Sequence, residues 1–149
     1  MDFRRATEND ISAIVRLLEN DELGTTRESV EDYAAPDYEE AFEEMEAQTG
    51  NQLLLAIENQ SVIGCLQLTL IPGLARRGMK RAQIEGVRVD PCYRNHRVGQ
   101  KLLEHAISIA KLEGAGLVQL TTDKQRVAAH QFYERLGFTA SHEGMKLIF

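Results

Sequence analysis

The sequence predicts an α+β protein, a mixed α/β sandwich. Three observations carry this. Alternating apolar residues over 52–71, followed by a further run over 81–90, group three strands in mid-chain. Amphipathic stripes of helical period stand on either side of them. At 149 residues the chain fits one domain, 1–149, with a core of its own.

The elements follow in order. Asp2–Ala6 reads as a short strand. Thr7 is a helix N-cap with Asp10 as a short stand-in for the capping-box glutamate, and Ile11, Ile14, Val15 and Leu18 share one helical face ending before Gly24. Tyr38, Ala41, Phe42 and Met45 form a second stripe after Pro36. Gln52–Glu58 alternates as a strand, Asn59-Gln60 makes a tight turn, and Ser61–Ile71 returns until Pro72-Gly73 breaks it. Leu74–Lys80 reads as a basic loop and Arg81–Asp90 as a strand. After the loop Pro91–Val98, a helix from about Gly99 presents Leu102, Leu103, Ala106, Ile107, Ile109 and Ala110 and stops near Gly114. Leu117–Thr122 is a strand, Gln125–Leu136 a helix ended by Gly137, and Phe138–His142 with Met145–Phe149 a last pair of strands.

Composition narrows the function. Lys+Arg number 17 and Asp+Glu 23, a formal net charge of −6, with a pI near 5.2. Nucleic acid is therefore not the expected partner, since binding it needs clustered positive charge. Two cysteines, Cys65 and Cys92, make no disulfide framework. The polar N-terminus is not a signal peptide, and no run approaches the ~20 apolar residues of a membrane span, so a cytoplasmic protein without membrane partners is expected. Four histidines share no metal-ligand spacing, so no metal is expected. Charge is segregated: Glu19–Glu46 holds twelve acidic residues and one arginine, a net −11, leaving +5 elsewhere.

The segment Ile84–Leu103, IEGVRVDPCYRNHRVGQKLL, carries the chemistry. It is strand, turn, glycine, helix. The free amides of a helix start and the helix dipole make an anion site there, Gly99 lets the backbone approach a phosphate, and Arg94, Arg97 and Lys101 add positive charge.

VDPCYRNHRVGQKLL resembles the acetyl-CoA signature of the GNAT (Gcn5-related N-acetyltransferase) superfamily, (Q/R)xxGxG/A after a valine-rich strand ending in Asp-Pro. Arg94 fills the first position and Gly99 the last, while Arg97 replaces the middle glycine. Downstream, AAHQFYERLGF is similar to the superfamily's A..FYE+LGF segment. The resemblance covers nearly the whole chain, least well over residues 20–50. It implies the GNAT fold: a mostly antiparallel twisted sheet of about six to seven strands, helices on both faces, and one parallel pair splayed between Arg81–Val89 and Leu117–Thr122.

It also implies transfer of an acetyl group from acetyl-CoA to a small-molecule primary amine by direct attack in a ternary complex. Val87, Arg88 and Val89 would line the pantetheine arm. The amides from Arg94 through Asn95, His96, Arg97, Val98 and Gly99 to Gln100 would hold the pyrophosphate. Arg126 stands where many relatives carry a cofactor-touching Asn, and with Lys124 would meet the adenosine 3′-phosphate or only solvent. A neutral amine is the nucleophile, and only about one alkyl amine in a thousand is neutral at pH 7, so a base is useful. Glu85 is the candidate, a solvated or salt-bridged strand glutamate being the plain alternative. Tyr133 is the candidate acid toward the thiolate, or else a half-buried aromatic beside Phe132. The Val87 amide would receive the carbonyl oxygen.

Other residues carry less. His130 lies one turn before Tyr133 as a cleft or capping residue, His142 in the last hairpin reaches toward the acceptor, His105 is on the surface, and Cys92 is incidental. The acidic segment 19–46 suggests a cationic acceptor, or a solvated helix face, whereas Arg76, Arg77, Lys80 and Arg81 equally suit an acidic or phosphonate-bearing amine. A protein lysine or N-terminal acceptor, and a CoA-binding module without catalysis, are the competing functions. C-terminal strands often pair between subunits in this superfamily, which leaves a homodimer open.

Overall fold

The computed structural model describes residues 1–20 and 36–149. They form two compact units, Met1–Gln119 and Leu120–Phe149.

The first unit is built on a sheet of strands β1 (Asp2–Arg5), β2 (Asn51–Glu58), β3 (Ser61–Ile71), β4 (Arg81–Val89) and β5 (Leu117–Leu120), in that spatial order. β1 to β4 pair antiparallel, and β4 with β5 makes the one parallel pair. The β2–β3 turn forms where expected, because Asn59 and Gln60 both accept positive φ (+49° and +66°) as a mirror-image turn requires. Helix α1 is Ile11–Glu19, α2 is Pro36–Ala47 and α3 is Val98–Leu112. Alternation assigns the two sheet faces. Leu54, Leu66, Leu68 and Ile84 lie under α3, whose Leu102, Leu103 and Ala106 are fully buried. Leu55 and Cys65 point the other way, into a cluster with Ile14 and Leu17 of α1, flanked by Phe42 of α2. Helices thus cover both faces, as a two-faced sheet demands.

The start of α1 is pinned by charge. Asp10 accepts from the Thr7 amide (2.8 Å) and hydroxyl (2.9 Å), and Arg4 grips both its oxygens (2.7 and 2.8 Å). The Arg4 guanidinium, with the Thr7 bonds, holds the carboxyl down from 3.8 to about 2 against the opposing effect of burial. Ionised Asp10 therefore stabilises the fold above about pH 4, and its contribution is lost as pH falls through about 2. Asp10→Asn should cost about 1–2 kcal/mol at neutral pH and flatten the acid limb of stability. Urea unfolding followed from pH 7 to 2 checks this; parallel curves for the two proteins would refute it.

The expected basic loop before β4 is a tight turn over Ala75–Gly78. Arg76 and Arg77 have φ of +51° and +61°, and Gly78 has +78°.

The second unit holds α4, Val127–Arg135. Gly137, at φ +90°, ends it: the Gly137 amide bonds the Glu134 carbonyl (3.0 Å) and the Phe138 amide that of Tyr133 (3.1 Å). Here the sequence reading needs correction. Phe138–His142 and Met145–Phe149 form no strands, so the described sheet has five strands rather than six or seven. The alternation of Met145, Leu147 and Phe149 mimics a strand, but all three are exposed, and a two-stranded hairpin without further partners is marginal.

Candidate functional site

β4 is irregular in its middle. Glu85 pairs with Gln67 and Arg88 with Cys65, so two residues, Gly86 and Val87, stand opposite Leu66 alone. This is a β-bulge, and Gly86 supplies the left-handed backbone (φ +60°) that it needs. Gly86 and Val87 have no ladder partner on β3. The sequence reading missed the bulge, although a glycine inside a strand pattern is its usual sign.

The bulge resets the alternation. Arg81, Gln83 and Glu85 share the α1/α2 face, with Ala82 and Ile84 buried on the other. Beyond it, Arg88 returns to the α1/α2 face beside Cys65, and Val89 pairs with Gly64 on the α3 side. Glu85 and Gly86 are exposed, and Val87, Arg88 and Val89 are half-buried. Arg88 Nη1 donates to the Val87 carbonyl at 2.9 Å. Leu18 of α1 borders the bulge: a Cβ on Gly86 would stand 3.8 Å from its Cδ2. Burial pushes the adjacent Cys65 thiol up to about 12, which keeps it protonated.

β5 runs alongside the first half of β4. The Gly116 amide bonds the Lys80 carbonyl, and Gln119 Nε2 donates to Gln83 Oε1, each at 2.8 Å. β5 is four residues long and β4 nine, so the stretch of β4 past Glu85 extends beyond its neighbour's strand.

β4 then leads into the loop. The Asp90 carboxylate accepts from the Cys92 amide (2.8 Å) and fixes the first turn. Asn95 and Arg97 both have positive φ, +65° and +58°. The position where the motif has its middle glycine is thus left-handed in this chain too, and arginine adopts that conformation at a cost of about 1–2 kcal/mol. The α3 ladder begins at the Lys101 amide on the Arg97 carbonyl (3.0 Å), which places the Val98, Gly99 and Gln100 amides in the outward-facing first turn. Arg94, Asn95, His96, Arg97 and Lys101 are exposed around it. This arrangement can bind a polyanion.

The remaining candidates are placed as follows. Tyr133 and Arg126 stand in the second unit. Tyr133 is half-buried on α4, edge-on to Phe132 (5.3 Å) and Phe138 (5.9 Å). Arg126 is the N-cap residue of α4, and its amide bonds the Asp123 carbonyl (3.0 Å). His130 Nε2 lies 3.1 Å from the Asp123 carbonyl, His142 Nδ1 lies 2.7 Å from Ser141 Oγ, and Lys124 pairs with Glu143 at 3.5 Å. His105 is not purely a surface residue, because it stacks on Phe3 at 5.0 Å. Among the described residues no helix is long and apolar enough to cross a membrane.

The profile of the acetyltransferase (GNAT) family matches residues 15–138. The chain belongs to this family. The GNAT chain is 33% identical over 86 residues to glucosamine 6-phosphate N-acetyltransferase of Trypanosoma brucei brucei, 58% of this chain and 56% of that one. It is 34% identical over 88 residues to aminoalkylphosphonate N-acetyltransferase of Salmonella typhimurium, again 56% of that protein. It thus spans about half the length of these curated relatives. Its fold matches the crystal structure of a transcriptional regulator from Bacillus halodurans C-125 with a TM-score of 0.96, at 44% identity and over 99% of both chains.

Proposed function

We propose that this GNAT chain transfers the acetyl group of acetyl-CoA to a primary amine of a small molecule, by direct attack in a ternary complex. The observation that carries the reading is the exposed Glu85 beside the Gly86–Val87 bulge, on a strand that runs directly into the left-handed loop before α3. The residues present fit acetyl-CoA. The β4 stretch Val87–Val89 offers backbone to a pantetheine arm, and the Val98–Gln100 amides with Arg94 and Arg97 offer a seat for a pyrophosphate. Acetyl-CoA supplies the activated acyl group.

The chain's own residues do the rest. Glu85, directly or through a water, accepts the amine proton as nitrogen bonds to the acyl carbon. The Val87 amide donates to the carbonyl oxygen, where negative charge builds. The sulfur released as the carbon–sulfur bond breaks would need a proton, a role that the family resemblance, not the geometry, gives to the Tyr133 hydroxyl. The two curated relatives, named for an amino-sugar phosphate and an aminoalkylphosphonate, support a small-molecule amine over a protein lysine.

Calorimetric titration of the full chain with acetyl-CoA, with ATP as control, tests the cofactor. Saturable binding of acetyl-CoA that ATP does not match is expected, followed by thiol release with small amines. Binding without release for any amine or peptide would favour the CoA-binding module. Release with peptides alone would favour a protein acceptor. No binding by folded protein would overturn the reading.

A further inference from the structure

We infer that the acceptor is a primary amine carrying a phosphate or phosphonate, whose anionic end is held by Arg81 together with Arg76 and Arg77. This rests on the acetyl-transfer reading and names its substrate class.

The sheet face that bears Glu85 is polar where the helices leave it. Asn51, itself buried, accepts on Oδ1 from Gln67 Nε2 (3.0 Å) and Thr69 Oγ1 (3.3 Å), and donates to Gln48 (2.9 Å). Thr69 lies opposite Gln83, and Gln83 is tied to Gln119. These cross-strand neighbours make a floor of amides and a hydroxyl with no charge of their own. Charge stands at its two ends. Glu85 is at one, a carboxylate suited to an amine. Arg81 is at the other, four residues back on the same face and about 13 Å along the strand, a span that the long arginine side chain shortens.

The turn before β4 adds to the cationic end. Gly78 and Met79 amides close it on the Leu74 and Ala75 carbonyls (3.1 and 3.2 Å), with Arg76 and Arg77 at its exposed, left-handed centre. The fourth cation of this segment is engaged elsewhere: Lys80 Nζ donates to the Glu113 carbonyl at 2.7 Å. Among the described residues Arg76, Arg77 and Arg81 are paired with no carboxylate. Three guanidiniums without a countercharge match a dianion, and each can present two parallel N–H donors to a phosphoryl group. A second amine at that end would be repelled. Of the twelve acidic residues behind the alternative of a cationic acceptor, five lie in residues 21–35, outside the described residues, and six stand on α2, where Glu46 is paired with Arg5 (2.8 Å).

Calorimetric titration of the full chain, in the presence of CoA, with 2-aminoethylphosphonate, propylamine and 1,3-diaminopropane tests the inference. Saturable binding of the phosphonate alone is expected, weakened about 10- to 100-fold in Arg81→Ala and less in Arg81→Lys, which keeps the charge but loses the fork. The double variant Arg76→Ala/Arg77→Ala, on an exposed turn, should weaken it without altering the thermal melt. No phosphonate binding, equal binding of diaminopropane, or unchanged affinity in a folded Arg81→Ala would overturn the inference. Acetyl-CoA binding with thiol release from other amines would then leave acetyl transfer standing. Loss of acetyl-CoA binding itself would instead count against the reaction.

Discussion

Glu85→Gln should lower kcat/KM for the best amine about 100- to 1,000-fold, the usual share of a positioned general base. Acetyl-CoA affinity should hardly move, because Glu85 lies on the α1/α2 face of β4, before the bulge, and the proposed cofactor seat begins at Val87. The pH profile is the stricter readout. With the carboxylate in place, the chain takes a proton from an amine that is almost wholly protonated at neutral pH. Without it, only the amine already neutral reacts, and that fraction rises tenfold per pH unit toward the amine's own pKa of about 10. The acid limb should therefore move to higher pH in the glutamine variant. An equal fall at every pH would assign Glu85 to positioning the acceptor, and an unchanged rate would remove it from the site.

The face of Glu85 shows where the sequence stops short. Alternation along IEGVRV gives two answers, one counted from Ile84 and the other from Val89, because Gly86 breaks the parity between them. Only the ladder to β3, Gln67 to Glu85 and then Cys65 to Arg88, decides which side chains point toward α1. Local signals were enough elsewhere. Thr7 and Asp10 set the start of the first helix, and Asn59-Gln60 takes the positive φ that the turn between β2 and β3 requires. At the C-terminus local signals misled, since strand alternation in Met145–Phe149 has no neighbouring strand to pair with in its unit. The loop before α3 lies between these cases. The motif marks residue 97 as a left-handed position, and the identity of the residue argues against it. The adjoining turn and the helix start win, at a cost that a single side chain can carry.

Gly86→Ala should both destabilise the protein and slow it, and the two effects share one cause. The added methyl group meets nothing closer than Leu18 Cδ2 at 3.8 Å, an ordinary contact, so crowding is not the reason. What alanine resists is the φ of +60°. Holding it there costs about 1–2 kcal/mol, and the alternative is to flatten the bulge. Flattening would shift the pairing of residues 86–89 by one position, turn their side chains to opposite faces and aim the Val87 amide away from the acyl oxygen. Loss of one such donor typically lowers kcat about 100- to 1,000-fold. We expect a lowered melting temperature together with a kcat loss of that order. Gly114, also left-handed (φ +81°) but past the C-terminal end of α3, with nothing within 4 Å of an added Cβ, supplies the control. Gly114→Ala should cost comparable stability through the same backbone strain and lower kcat far less. If the two variants lose equal activity at equal stability, the bulge does not set the geometry of the reaction.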